Sequence, residues 1–133
     1  MSDSLPTRTI PAPVISLETK TFWEGLNEGK LLIKRCGACA QPHYFPRGLC
    51  PHCGSADTRW EQSGGKGVIY SLSVTRRGPG APYVLAYVTL DEGVSLLTNI
   101  VQCRPDDLAI GQPVRLASVS SENGQALPAF APV

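Results

Sequence analysis

A chain of 133 residues is enough for one compact domain, or for two very small ones that share an interface. Its 42% apolar content can build a core, but its 17% charged content is well below the roughly 25% usual for a free-standing soluble domain, so a partner is expected to cover part of the surface. A net charge of +1 gives no global pull towards nucleic acid, and no apolar run approaches the ~20 residues needed to cross a bilayer. Residues 1–9 hold no apolar run behind a basic start, so the protein is expected to lack a secretory leader and to be cytoplasmic.

The charge is unevenly placed. Residues 30–77 carry eight basic side chains against Asp57 and Glu61, whereas the segments before and after are both net negative. The middle of the chain is therefore where an anionic ligand or an acidic partner surface would bind, or where a basic face is simply solvated.

Residues 1–15, with Pro6, Pro11 and Pro13, read as an extended arm that is ordered only if something holds it down. A short helix follows, with Ser16 as N-cap, Glu18 in its first turn and Gly29 as its stop. Phe22, Trp23 and Leu26 share one side of it and are expected to pack into the chain's own core rather than on a partner. Short strands are expected over Leu31–Lys34, His43–Pro46 and Thr58–Gln62. The run Gly64-Gly65-Lys66-Gly67 lacks the spacing of a phosphate loop and reads as a joint between two modules.

Beyond the joint the pattern is β-structure. Val68–Thr75 alternates Val68, Tyr70, Leu72 and Val74 against smaller or polar neighbours. Tyr83–Leu90 and Val94–Val101 are joined by Asp91-Glu92-Gly93, Pro105–Leu108 can make one helical turn, and Val114–Ser120 pairs with Ala126–Phe130 across Asn123-Gly124. Five strands with a helical turn between the third and fourth make the plan of an OB-fold barrel. The fold class is thus mainly β: an N-terminal arm and helix over 1–29, a rubredoxin-like zinc ribbon over 30–63 and a five-stranded barrel over 64–133.

The sharpest chemical signal is the pair of Cys-x-x-Cys turns, Cys36-Gly-Ala-Cys39 and Cys50-Pro-His-Cys53. Two such turns facing each other close a tetrahedral metal site, and four protein ligands leave no position open for catalysis. Zinc is the expected ion, although four thiolates alone do not separate it from iron. A ribbon of this size holds almost no core, so the metal is expected to supply most of its folding energy. His43 and His52 are not needed as ligands and read as packing or surface residues. Cys103 reads as a small apolar residue, and a thioesterase or transferase built on it ranks last. No catalytic constellation stands out.

Phe22-Trp23-Glu24-Gly25-Leu26, Phe45-Pro46-Arg47, Cys50-Pro51-His52-Cys53-Gly54, Gly67-Val68-Ile69-Tyr70-Ser71, Pro82-Tyr83 and Ile110-Gly111-Gln112-Pro113-Val114, in this order, closely resemble the DUF35 family over residues 16–133. The chain departs from it at Ala40, where the family usually has glycine. The resemblance implies a non-catalytic, acyl-CoA-associated accessory subunit. Its partner would be a thiolase or aldolase of the lipid-transfer-protein type, or a MaoC-type hydratase. With CoA implied, Arg47, Arg76 and Arg77 are the expected phosphate contacts, since the guanidinium fork matches phosphate oxygens. The alternative reading is a module that binds single-stranded nucleic acid, opposed by the low net charge and the few aromatics on the barrel strands.

Overall fold

The computed structural model describes residues 9–79 and 82–133; of the expected arm, residues 1–8 lie outside the described residues, as do Gly80 and Ala81 of the loop after the first barrel strand. The order of elements is α1 (Lys20–Asn27), β1 (Leu32–Cys36), β2 (Pro42–His43), β3 (Thr58–Gln62), β4 (Lys66–Thr75), β5 (Tyr83–Leu90), β6 (Ser95–Ile100), a 3-10 turn (Pro105–Asp107), β7 (Pro113–Leu116), β8 (Val119–Ser120), β9 (Ala126–Leu127) and β10 (Phe130–Pro132). No helix among the described residues is long and apolar enough to cross a membrane.

The helix begins later than the sequence suggests. Thr19, not Ser16, is the N-cap. Ser16 instead opens a preceding turn whose carbonyl accepts the Thr19 amide at 3.2 Å. Glu18 falls outside the helix, and its carboxylate accepts the Gly48 amide at 2.6 Å. The stop is as expected. Gly29 takes φ +79°, its amide reaches the Leu26 carbonyl and the Lys30 amide reaches that of Gly25, the paired bonds that close a helix on a left-handed residue.

Three antiparallel strands in the order β2-β1-β3 form the ribbon sheet. The barrel is closed in the order β10-β6-β5-β4-β7, with β10 parallel to β6 and antiparallel to β7. Its interior is filled by Ile69, Val84, Val88, Leu96, Ile100, Val114 and Phe130. Two details differ from the sequence reading. A bulge between Ile69 and Ser71 shifts the phase of β4. Gly67 and Ile69 face inward before it and Leu72 and Val74 pack on the core after it, so Val68 and Tyr70 turn outward. The C-terminal pairing is also divided. β8 and β9 form a separate two-residue hairpin. Pro128, which has no amide to give a ladder, stands between that hairpin and β10.

The elements share one core. Phe22, Trp23 and Leu26 of the helix and Leu31 and Ile33 of the ribbon belong to the same buried cluster as the barrel interior. The helix is also stitched to the β8–β9 hairpin, where Gln125 Nε2 donates to the Trp23 carbonyl at 3.0 Å and Asn27 Oδ1 accepts the Ala126 amide at 3.0 Å. Part of the arm is held: the Glu122 amide bonds the Ile10 carbonyl at 2.8 Å. At the joint, Glu92 accepts the Ser63 hydroxyl at 2.8 Å and the Gly64 amide at 2.9 Å. Gly67 lies so close to β5 that a Cβ there would collide with the Thr89 carbonyl.

A shared core has a measurable consequence. Phe22→Ala is expected to destabilise the whole chain by about 3–5 kcal/mol, the usual cost of emptying a buried phenyl site. Urea unfolding should remain a single transition with a lower midpoint. A barrel transition left untouched by this change would show that the helix packs on a separate unit.

Candidate metal centre

β1 runs directly into the first cysteine turn, and the second turn follows the loop after β2. The two turns are built alike. The Cys36 amide bonds the Gln41 carbonyl and the Ala40 amide bonds the Cys36 carbonyl; likewise the Cys50 amide bonds Ser55 and the Gly54 amide bonds Cys50. Amides of Ala38 and Cys39 point at Cys36 Sγ, and that of His52 at Cys50 Sγ, each at 3.3 Å. Each turn needs a left-handed residue after its second cysteine. Gly54 meets this freely at φ +82°, while Ala40 does so at φ +65° against its Cβ. Arg35 steadies that position: its Nη1 donates to the Ala40 carbonyl at 2.8 Å, and its Nε is held by Glu61 at 2.6 Å.

The four expected cysteine sulfurs converge, all within 4.8 Å of one another. Cys36 and Cys53 are 3.6 Å apart, and Cys39 and Cys50 are 3.7 Å apart. Sulfurs placed tetrahedrally at about 2.3 Å from zinc stand about 3.8 Å from each other, so the donor set fits that ion. Electrostatics agree. The Cys39 amide, ahead of the other contacts, holds the Cys36 thiol down to about 6. The Gln41 amide pulls Cys39 down too, but burial and the neighbouring sulfurs outweigh it and push the thiol up to about 12. Without a cation the cluster thus favours one thiolate over several; a dication at its centre reverses that preference.

Neither histidine belongs to the cluster. His43 is buried and its Nε2 accepts the Arg47 amide at 3.3 Å; His52 Nε2 donates to the Pro42 carbonyl at 3.2 Å. Cys103 packs against the edge of the core, with Sγ 3.8 Å from the Ile100 carbonyl. The three arginines lie on two different loops. Arg47 is exposed on the ribbon loop. Arg76 and Arg77 lie just beyond β4, which stops at Thr75, and open the loop that follows it. Arg76 is already engaged, its Nη2 donating to Asp106 at 2.8 Å.

The sequence reading missed one surface. Val68, Tyr70, Leu85, Tyr87 and Leu97 all stand exposed on the outer side of β4, β5 and β6, with Tyr87 directly opposite Leu97. No charged residue occurs in Gly67–Thr75, Tyr83–Leu90 or Ser95–Ile100. The signal was present in β5, where Leu85 and Tyr87 alternate with the inward Val84, Ala86 and Val88, but an apolar residue on each face conceals which side is wet.

Fold and site together define a rubredoxin-like ribbon carrying a four-cysteine metal site, joined to a closed OB-fold barrel. The chain matches the family described as ChsH2, rubredoxin-like zinc ribbon domain, over residues 23–59, and that described as ChsH2, C-terminal OB-fold domain, over residues 60–119. It is 36% identical to a DUF35 domain-containing scaffold protein of Methanocaldococcus jannaschii, over 69% of this chain and 70% of that one. The protein belongs to the DUF35 family. It is also 36% identical, over 98% of its length, to a probable enoyl-CoA hydratase alpha subunit of Thermomonospora curvata, of which it spans only 42%. Among solved structures it resembles a chain of the Ltp2-ChsH2(DUF35) aldolase, with a TM-score of 0.82 and 37% identity over 91% of this chain and 98% of that one.

Two substitutions probe the centre. Cys50→Ser is expected to abolish metal retention, read by metal analysis, and to disorder both cysteine turns in the amide spectrum. Ala40→Gly is expected to raise stability by about 1 kcal/mol with metal content unchanged, because it removes the strained Cβ at a left-handed position. A loss of stability on Ala40→Gly would mean the turn is not strained.

Proposed function

We propose that this protein is a non-catalytic accessory subunit. In this reading it docks on a thiolase-like partner, a thiolase or aldolase of the lipid-transfer-protein type, or on a MaoC-type hydratase, and supports its work on an acyl-CoA in the cytoplasm. One observation carries the reading: a chain of 37% identity, of which this one spans 98%, was solved as part of an aldolase with Ltp2. Zinc is the proposed ion, held by Cys36, Cys39, Cys50 and Cys53. Its role is structural, because four protein ligands leave no open position for substrate.

The physical character of the barrel supports docking. Phe22 and Trp23 are spent on the chain's own core and are not the patch that asks for a partner. The outer face of β4–β6 is that patch: large apolar side chains on adjacent strands, two of them tyrosines, with no charge among them, which is the composition of an interface core. The same face argues against a nucleic-acid groove, which needs several cations beside its aromatics to follow a phosphate backbone, whereas β4–β6 carry only Lys66, at the start of β4. Arg47, Arg76 and Arg77 remain proposed contacts for the CoA phosphates. Arg47 is the best placed, because Arg76 is paired with Asp106.

Co-expression with a thiolase or hydratase encoded beside it, followed by size-exclusion chromatography, tests the reading. A stable mixed complex is expected, and the chain alone should show no turnover of acyl-CoA. Tyr87→Glu and Leu97→Asp should each weaken the complex at least tenfold while metal content stays intact, since each buries a charge at the contact. A monodisperse chain that ignores both kinds of partner, or that turns over acyl-CoA by itself, contradicts it.

A further inference from the structure

The apolar outer face of the barrel ends on two cations. Lys66 opens β4 and Arg115 lies in β7, and the two are direct partners across the antiparallel pair. Burial alternates along both strands, so Lys66, Val68 and Tyr70 point outward with Pro113 and Arg115, while Ile69 and Val114 point inward. The cations therefore share the face of the exposed tyrosines, one repeat of the pleat, about 7 Å, from the partners Val68 and Pro113. The Leu116 amide bonds the Gly65 carbonyl at 2.7 Å, which makes Lys66 and Arg115 a non-hydrogen-bonded pair, the arrangement that brings facing side chains closest. Like charges set directly opposite destabilise a sheet. Among the described residues no carboxylate lies within 4.0 Å of either cation, although the Asp91 amide bonds the Lys66 carbonyl at 3.0 Å and the Val133 amide bonds that of Pro113 at 3.2 Å. Glu92, the other acid at this end, is taken by Ser63 and Gly64.

The face also reaches beyond its three strands. Ile110 stands 72% exposed in the turn that leads into β7. That turn is fixed against β4. The Gly111 amide bonds the Ile69 carbonyl at 2.7 Å, the Ile69 amide bonds the Gln112 carbonyl at 3.0 Å, and Gln112 Oε1 accepts the Ala109 amide at 2.9 Å. Ile110 is thus held beside the bulge at Tyr70, so an apolar side chain is presented without the cost of ordering a loose loop. The β4–β7 side runs from Lys66 and Arg115, through Val68 and Pro113, to Tyr70 and Ile110. It is cationic at one end and apolar at the other.

We infer that this face seats the enzyme partner, and that the partner brings a surface apolar at its centre with a carboxylate where it meets Lys66 and Arg115. The inference rests on the accessory reading and deepens it, since it states the chemistry of the partner's surface and the end at which its acid lies. A second copy of this chain does not meet the need. β4, β5, β6 and β7 hold no Asp or Glu, so two such faces set together leave the cations of both unpaired. A partner acid supplies the missing counter-charge. It also fixes one end of a contact that apolar packing alone leaves free to slide.

The test uses the complex of the full, zinc-loaded chain with the thiolase-like or hydratase partner recovered by co-expression, its affinity measured across a range of salt. Raising salt from about 50 to about 500 mM should weaken the natural complex. Lys66→Glu with Arg115→Glu should weaken it about tenfold or more at low salt and abolish or reverse the salt response. Lys66→Gln with Arg115→Gln should weaken it less. It should also leave the unfolding midpoint of the chain alone unchanged or higher, because a like-charge pair is gone. Lys20→Gln with Lys30→Gln, on the helix and at the entry to β1, alters net charge equally and should leave affinity unchanged. Ile110→Ala should weaken the complex while the salt response is kept. A complex that forms but ignores salt and both changes of the Lys66–Arg115 pair overturns the inference and leaves the accessory reading standing. No complex with either kind of enzyme overturns both. If the chain alone self-associates and Tyr87→Glu makes it monomeric, the occupant is a second copy. If anionic vesicles or single-stranded oligonucleotide bind and the Lys66–Arg115 changes abolish it, the pair reads phosphate. Either of these results also overturns the inference.

Discussion

Four sulfurs held within 4.8 Å of one another repel as soon as more than one of them ionises, and everything in the ribbon is arranged around cancelling that repulsion. Amide N–H groups aimed at Cys36 and Cys50 supply part of the compensation, and a divalent ion at the centre would supply the larger part, leaving the tetrathiolate centre net negative. Once the two turns are tied, β1 is fixed at its cysteine end. β2 and β3 then pair with it along its length. The metal is not the ribbon's only support, contrary to what its small size suggests. Leu31 and Ile33 reach into the buried cluster that contains the helix and the barrel interior, so metal binding and hydrophobic burial anchor the same strand.

What could be read from the sequence follows the range of the interactions involved. The cysteine spacing is local and was legible without ambiguity. So were the Gly29 helix stop and the strands Thr58–Gln62 and Tyr83–Leu90, whose observed limits match. Elements decided by long-range contacts were not. Thr19 displaces Ser16 as the N-cap because Glu18 turns away to bond Gly48, 30 positions on. The bulge beside Tyr70 inverts the apparent inward face of β4, and nothing in its alternation marks the phase change. For the site, the ligand set was legible and the burial of Lys34, two residues before Cys36, was not. A single lysine in a short strand looks solvated until His43 and Trp60 are seen on either side of it.

Polarity is divided between the two halves of the chain. The ribbon segment concentrates positive charge around its metal turns, whereas on the first three barrel strands the one charge is Lys66, at the start of β4. The aromatic residues of the helix and of the segment after β2 pack on one another: Phe22 meets Trp23, Tyr44 and Phe45 at centroid distances of 5.0–5.7 Å. Five of the exposed apolar side chains, Val68, Tyr70, Leu85, Tyr87 and Leu97, are gathered on the outer side of β4–β6, apart from the packing that holds the fold.

The Glu92 contacts give the β5–β6 turn a role beyond reversing the chain. Its carboxylate reaches back to Ser63 and Gly64, while the adjoining Gly93, Val94 and Ser95 form one wall of a cavity beside β2. Hairpin turns on barrels ordinarily tolerate added residues, since length there costs little. Here one inserted residue would withdraw the carboxylate from the joint and shift the cavity wall in the same stroke. The length of this surface turn is therefore tied to the angle at which the ribbon meets the barrel, and a variable-looking loop acts as the gauge that sets the spacing between two halves of the molecule.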